Sequence, residues 1–160
     1  MPRLSRTVFA GIPHHITQRG NRREDIFFVD EDREAYLTWL REYCELHEVE
    51  ILAYCLMTNH IHLVAVPARD DGLQRVFKPL HMRYAQRINR AHGWKGHLWQ
   101  GRFFSSPLDD AYLWAAVRYV ERNPVRNKRV ASPLLLYVPL YVATARKLLP
   151  RREGRQPRAA

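Results

Sequence analysis

Apolar residues recur along the chain in two rhythms, one of period two and one close to a helical turn, and together they mark the elements. "GIPHHITQR", residues 11–19, alternates and reads as a first strand. "GNRRED" follows as a polar, glycine-led loop carrying Arg22 and Arg23. Asp30 then reads as an N-cap, with acids crowding the first turn of a helix that runs to about His47. Its apolar positions Tyr36, Leu37, Leu40, Tyr43 and Cys44 fall at helical spacing. "EILAYCLM" and "HIHLVAV" are two strands joined by a hairpin turn at Thr58–Asn59. A second helix covers roughly Leu80 to His92 and ends at Gly93, with Pro79 near its first turn or at a kink after Leu73. "GWKGHLWQGRFFSSP" is a glycine-punctuated loop or short strand. A third helix starts near Asp109–Asp110 and is expected to stop at Asn123, because Pro124 disfavours helix at the residue before it. The order β-α-β-β-α-(β)-α predicts an α+β fold, an antiparallel sheet with helices packed on one side.

Length and composition narrow the class. At 160 residues the chain should form one domain, expected over residues 1–145, followed by a basic, flexible tail over 146–160. A hydrophobic content of 46% fits a globular protein. No apolar run is long enough to cross a bilayer, and the first residues lack the apolar core and cleavage site of a secretory signal. Cys44 and Cys55 have no metal-like spacing and read as buried thiols of a reducing compartment. A cytoplasmic location and no membrane partner are therefore expected.

Charge adds a partner. The net charge is +10, and arginine supplies 22 of the 26 basic residues. Half of that excess, +5, lies from Arg146 onward. Between Gly72 and Leu108 there is no acid at all, while Arg75, Lys78, Arg83, Arg87, Arg90, Lys95 and Arg102 all fall there. Phe77, Tyr84, Trp94, Trp99, Phe103 and Phe104 are interleaved with them. Phosphates attract cations and unpaired bases stack on flat rings, so the pattern suits single-stranded nucleic acid. A solvated helix face beside ordinary core aromatics reads the same way from composition alone.

Candidate chemistry begins at "MTNHIHLVAVP". Strand side chains alternate, so His60 and His62 project from one face and Ile61 and Leu63 from the other. Two same-face imidazoles are half of a divalent-metal site; a pair of half-exposed strand histidines with no ligand has the same spacing. The third helix, "DDAYLWAAVRYVERNPVR", carries an apolar stripe of Leu113, Ala116, Val117 and Val120. Tyr119 and Asn123 lie one turn apart on the border of that stripe. A phenol and an amide there also fit an amphipathic edge and a helix end.

These residues, taken in order, resemble the REP-associated tyrosine transposases, the single-tyrosine transposases named for a histidine–hydrophobic–histidine (HUH) motif. The likeness rests on "HHITQRGNRREDIFF", on "NHIH", on "GHLWQGRF" and on "RYV" followed by "NPVR", and spans about Pro13 to Val130. Thr58 stands where relatives usually carry proline, a departure confined to the turn before the histidines. The resemblance implies a ferredoxin-like core and a metal-dependent single-strand DNA endonuclease that cleaves and rejoins DNA, in hairpin repeats above all, through a 5′-phosphotyrosine. It makes Tyr119 the nucleophile and His60 and His62 ligands of Mg²⁺ or Mn²⁺. Asn123 would be the third ligand, with His15 as a substitute. Arg19, Arg22, Arg23, Arg83, Arg87 and Arg102 are placed along the single-stranded or hairpin DNA, with Trp99 and Phe103 as stacking platforms. A monomer with its own tyrosine in its own site is expected on the resemblance. Two rivals remain: a catalytically silent DNA- or RNA-binding regulator derived from a transposase, and a zinc hydrolase built on His14, His15, His60 and His62.

Overall fold

The computed structural model describes residues 7–126 of the chain. Four strands, β1 (His14–Arg19), β2 (Val49–Leu56), β3 (His60–Pro67) and β4 (Phe104–Pro107), form one sheet in the order β2-β3-β1-β4. Every neighbouring pair is antiparallel. Helix α1 (Asp30–Leu46) connects β1 to β2, helix α2 (Gly72–His92) connects β3 to β4, and α3 (Asp110–Arg126) follows. Two β-α-β units are thus interleaved with β1 and β3 at the centre, the split β-α-β arrangement of ferredoxin-like folds.

The helices do not share one side, as the element order had suggested. From α1, Tyr36, Leu40 and Cys44, and from α2, Leu73, Val76, Phe77, Leu80, Tyr84 and Ile88, pack on Ile16, Ile61, Leu63 and Ala65. Helix α3 packs on the other face, where Leu113, Ala116, Val117 and Val120 meet Ala53, Cys55, Met57 and Val64. Strand β3 is therefore covered on both faces, which explains its nearly unbroken apolar run. Strand β2 serves both cores by means of a β-bulge. Ile51 pairs with Ala65 but Ala53 pairs with Val64, so one extra residue, Leu52, shifts the register. Before the bulge Val49 and Ile51 face α1 and α2; beyond it Ala53 and Cys55 face α3.

Three boundaries differ from expectation for local reasons. Asp30 opens α1 as its first residue, and the capping acceptor is Asp32, whose Oδ2 takes hydrogen bonds from the Phe28 and Val29 amides at 3.2 and 3.3 Å. Helix α2 begins at Gly72, eight residues before Leu80, and carries Pro79 inside. The apolar stripe from Leu73 onward buries there, and tertiary packing outweighs the loss of one backbone hydrogen bond. It ends at Gly93 in the left-handed conformation (φ 67°), donating to the Asn89 carbonyl. Helix α3 continues through Pro124 to Arg126. The tail expected over 146–160 lies outside the described residues. Among the described residues no helix is long and apolar enough to cross a membrane.

Candidate functional site

The centre of the sheet builds the site. In the β1–β3 register Arg19 lies opposite His60 and Thr17 opposite His62, and cross-strand partners share a face. That face also carries His15, and it is the face on which α3 docks. Tyr119 precedes Val120, the fully buried anchor of α3, and its ring meets His62 edge-on with centroids 5.4 Å apart. The same ring stands 6.3 Å from His15, again edge-on. Tyr119 nevertheless stays 46% exposed, so its hydroxyl is accessible to a ligand from solvent. Residues 60, 62 and 119, far apart in sequence, converge within one chain.

Hydrogen bonds orient the imidazoles. The His60 ring donates from Nδ1 to the Asn59 side-chain oxygen at 2.7 Å, which leaves Nε2 with a free lone pair. The other end of Asn59 donates to the Arg23 carbonyl at 3.0 Å. The turn bearing Asn59 is itself clamped: the Thr58 carbonyl accepts from Ile26 and Phe27, and the Asn59 carbonyl from Gly20. Gly20 is required there, because a Cβ would collide with the Glu24 carbonyl. His62 Nδ1 lies 3.1 Å from His15 Nε2 with the rings stacked. With His62 as the donor in that bond, its Nε2 is also left open.

Electrostatics hold the cluster neutral. Burial, then the neighbouring His60, His15 and Arg19, push the His62 pKa down to about 4. His60 is lowered by burial and by Arg19, and His15 by burial. Neutral imidazole is the form that ligates a cation. The His60 and His62 rings, 5.0 Å apart between centroids, are close enough for one nitrogen of each to reach a common ion. Among the described residues no three His, Cys, Asp or Glu side chains form a metal-holding group. Asn123 falls within α3, but its side chain lies outside those described. Cys55, opposite His62 on β2, is a buried thiol whose pKa burial pushes up to about 11.

The four-histidine zinc hydrolase does not fit this geometry. His14 points to the other side of β1 from His15 and is fully buried. Both its ring nitrogens are engaged, by the Ile12 carbonyl at 2.7 Å and the Phe9 amide at 3.3 Å.

The arginines divide into two groups. Arg19, Arg22, Arg23 and Arg102 are exposed at the end of the sheet where His60 lies. Arg22 and Arg23 adopt left-handed backbone (φ 53° and 65°) in a single 3-10 turn, sparsely populated conformations for residues with a Cβ. Arg83 and Arg87 sit instead in the α1–α2 layer on the opposite side of the sheet. Arg83 pairs with Glu42 at 2.9 Å and lies 4.3 Å over the Trp39 ring, and Arg87 pairs with the buried Asp32 at 3.4 Å. Trp99 is a core residue, 8% exposed, donating from Nε1 to the His81 carbonyl, and Phe103 packs on Phe77 in the same core. The exposed rings of that segment are Trp94, at 47%, and the residue after Phe103, Phe104, at 63%. Strand alternation places Phe104 opposite Thr17, on the His62 face. That signal was present in "RFFSSP", but choosing the exposed member of Phe103–Phe104 requires knowing which face α1 and α2 cover.

Known proteins share this architecture. A family model described as "Transposase IS200 like" matches residues 8–123. A Haemophilus influenzae protein named as a candidate REP-associated tyrosine transposase is 27% identical over 111 residues, 62% of this chain. The match spans 61% of the length of that relative. Among solved structures, one of a REP-associated tyrosine transposase bound to a REP hairpin superposes with a TM-score of 0.64 at 21% identity, covering 98% of this chain and 93% of that one. A candidate transposase from Deinococcus radiodurans superposes with a TM-score of 0.51 at 18% identity, over 81% of this chain and all of that one.

Proposed function

The chain belongs to the IS200-like transposase family, and from that premise we propose that it nicks and rejoins single-stranded DNA with Tyr119 as nucleophile. The observation that carries the reading is the packing of the Tyr119 ring against His62, 5.4 Å between centroids, on the only sheet face that α3 covers. A nucleophile and two neutral imidazoles there meet beside a basic surface. The relative solved with a REP hairpin supports hairpin DNA as the partner class.

In the reaction the exposed Tyr119 oxygen attacks phosphorus in line. A bond from that oxygen to phosphorus forms, the bond from phosphorus to the 3′ oxygen breaks, and the proton lost by the phenol is balanced by the one gained at the 3′-hydroxyl. The 5′-phosphotyrosine conserves the ester, so a second 3′-hydroxyl can reverse the step and join new ends. His60 and His62, with Asn123, would hold a divalent cation, Mg²⁺ or Mn²⁺, which as a Lewis acid offsets the negative charge that builds on a phosphate oxygen. Asn59 and His15 keep the two rings turned for that task. Arg19, whose charge already acts on both rings, draws the phosphate to them. Tyr119 and His62 meet within one chain, which supports a tyrosine acting in cis.

The test is a denaturing gel with end-labelled single-stranded hairpins from the flanks of the protein's own gene, with Mg²⁺ or Mn²⁺ and with EDTA. The reading expects a heat-stable shifted band that needs metal and vanishes in Tyr119→Phe. An adduct that survives Tyr119→Phe would reassign the nucleophile; hairpin binding with no adduct at all would favour the silent regulator.

A further inference from the structure

Beside His60 and His62, on the part of the sheet face that α3 leaves uncovered, lies an open cleft of about 460 Å³. Its size falls in the range of about 300–1,000 Å³ typical of sites for one small organic ligand, and a single nucleotide fits it. Besides the two histidines it is lined by Thr17, the exposed Phe104, Arg19, Arg102 and Gln100. None of the lining residues is acidic. Its shape is set by backbone: Gln100 donates its amide to the Arg19 carbonyl at 3.0 Å, and the Gln18 side chain donates to the Gly101 carbonyl at 2.7 Å. The segment bearing Arg102 is thereby tied to the strand bearing Arg19. A large apolar ring exposed on a sheet face and bracketed by two cations is poorly suited to water and well suited to a base with its phosphate.

We propose that this cleft binds one unpaired nucleotide of the DNA strand adjoining the reacting phosphate, its base stacked on Phe104 and its own phosphate on Arg102. The inference rests on the proposed function for the identity of the strand. It assigns Arg19, nearer the imidazoles, to the reacting phosphate itself. Gln100, whose side-chain amide can both donate and accept, lines the same cleft and would read the edge of the stacked base, so the cleft discriminates among bases at that one position.

The test uses the full chain in EDTA and the same gene-flank hairpins, with 2-aminopurine placed in turn at each unpaired position. Stacking quenches that base. One position beside the hairpin should be quenched by the native protein and by Phe104→Tyr, and released in Phe104→Ala with affinity lowered roughly 5- to 100-fold. An abasic site at that position should abolish the difference between the native protein and Phe104→Ala. Quenching and affinity that are unchanged in Phe104→Ala, or no quenched position in the native complex, overturn the proposal. Adduct formation measured in parallel with Mn²⁺ separates the two readings. Phe104-dependent quenching without an adduct keeps the nucleotide site and removes the transposase; an adduct with Phe104-independent quenching does the reverse.

Discussion

His62 shows how much one residue owes to its neighbours. An isolated imidazole titrates near 6.5, but burial and three neighbouring groups bring this one to about 4. As pH falls the unfolded chain therefore takes up a proton before the folded one does. The stability so conferred is complete above about 6.5 and is lost as pH drops toward 4, an effect on the order of 3 kcal/mol. Urea titrations across that window should show stability falling with acid, and His62→Gln should flatten the fall; an unchanged slope would place the acid sensitivity elsewhere, in His14, His15 or His60, which burial also lowers. The pair of same-face imidazoles was legible from "HIH", since alternation is a property of any strand. Their tautomers were not, because Asn59 and His15 reach them only after the turn and β1 are in place.

At the level of elements, the docking of α3 decides whether Tyr119 and the histidines form one site. Val120 is fully buried among Ala53, Cys55, Met57 and Val64. Val120→Ala removes two methyl groups and leaves a void, costing about 2 kcal/mol. Adduct formation should slow with little change in DNA affinity, and amide hydrogen exchange should rise in α3 while α1 and α2 keep their protection. Asp32 anchors the opposite layer. Asp32→Ala loses the cap on α1 and the partner of Arg87, and is expected to cost about 1–2 kcal/mol in thermal unfolding without altering adduct chemistry at saturating DNA. Helical periodicity in α1 and α3 was visible in the chain. The placement of α3 was not, because the bulge at Leu52 turns Ala53 and Cys55 to the second face, and regular alternation would put them with Val49 and Ile51.

For the molecule as a whole, a charge of +10 makes affinity for DNA salt-dependent. Each arginine on a phosphate should contribute about 0.7–0.9 to the slope of log affinity against log salt. Arg102→Ala should lower that slope by one such step, and Arg83→Ala by less, since Arg83 is already bonded to Glu42 and stacked on Trp39. Equal effects would mean that the α1–α2 layer also meets the strand. The sequence by itself determined the class of the fold, the histidine pair, the tyrosine helix and the basic, aromatic-rich segment, because periodicity, motif spacing and charge are local or summed properties of a chain. Only the tertiary structure decided which aromatic ring faces outward, which arginines are already paired, and that His15 and Tyr119 both lean on His62. Those depend on which strands become neighbours and which face each helix covers, contacts between residues that no local pattern connects.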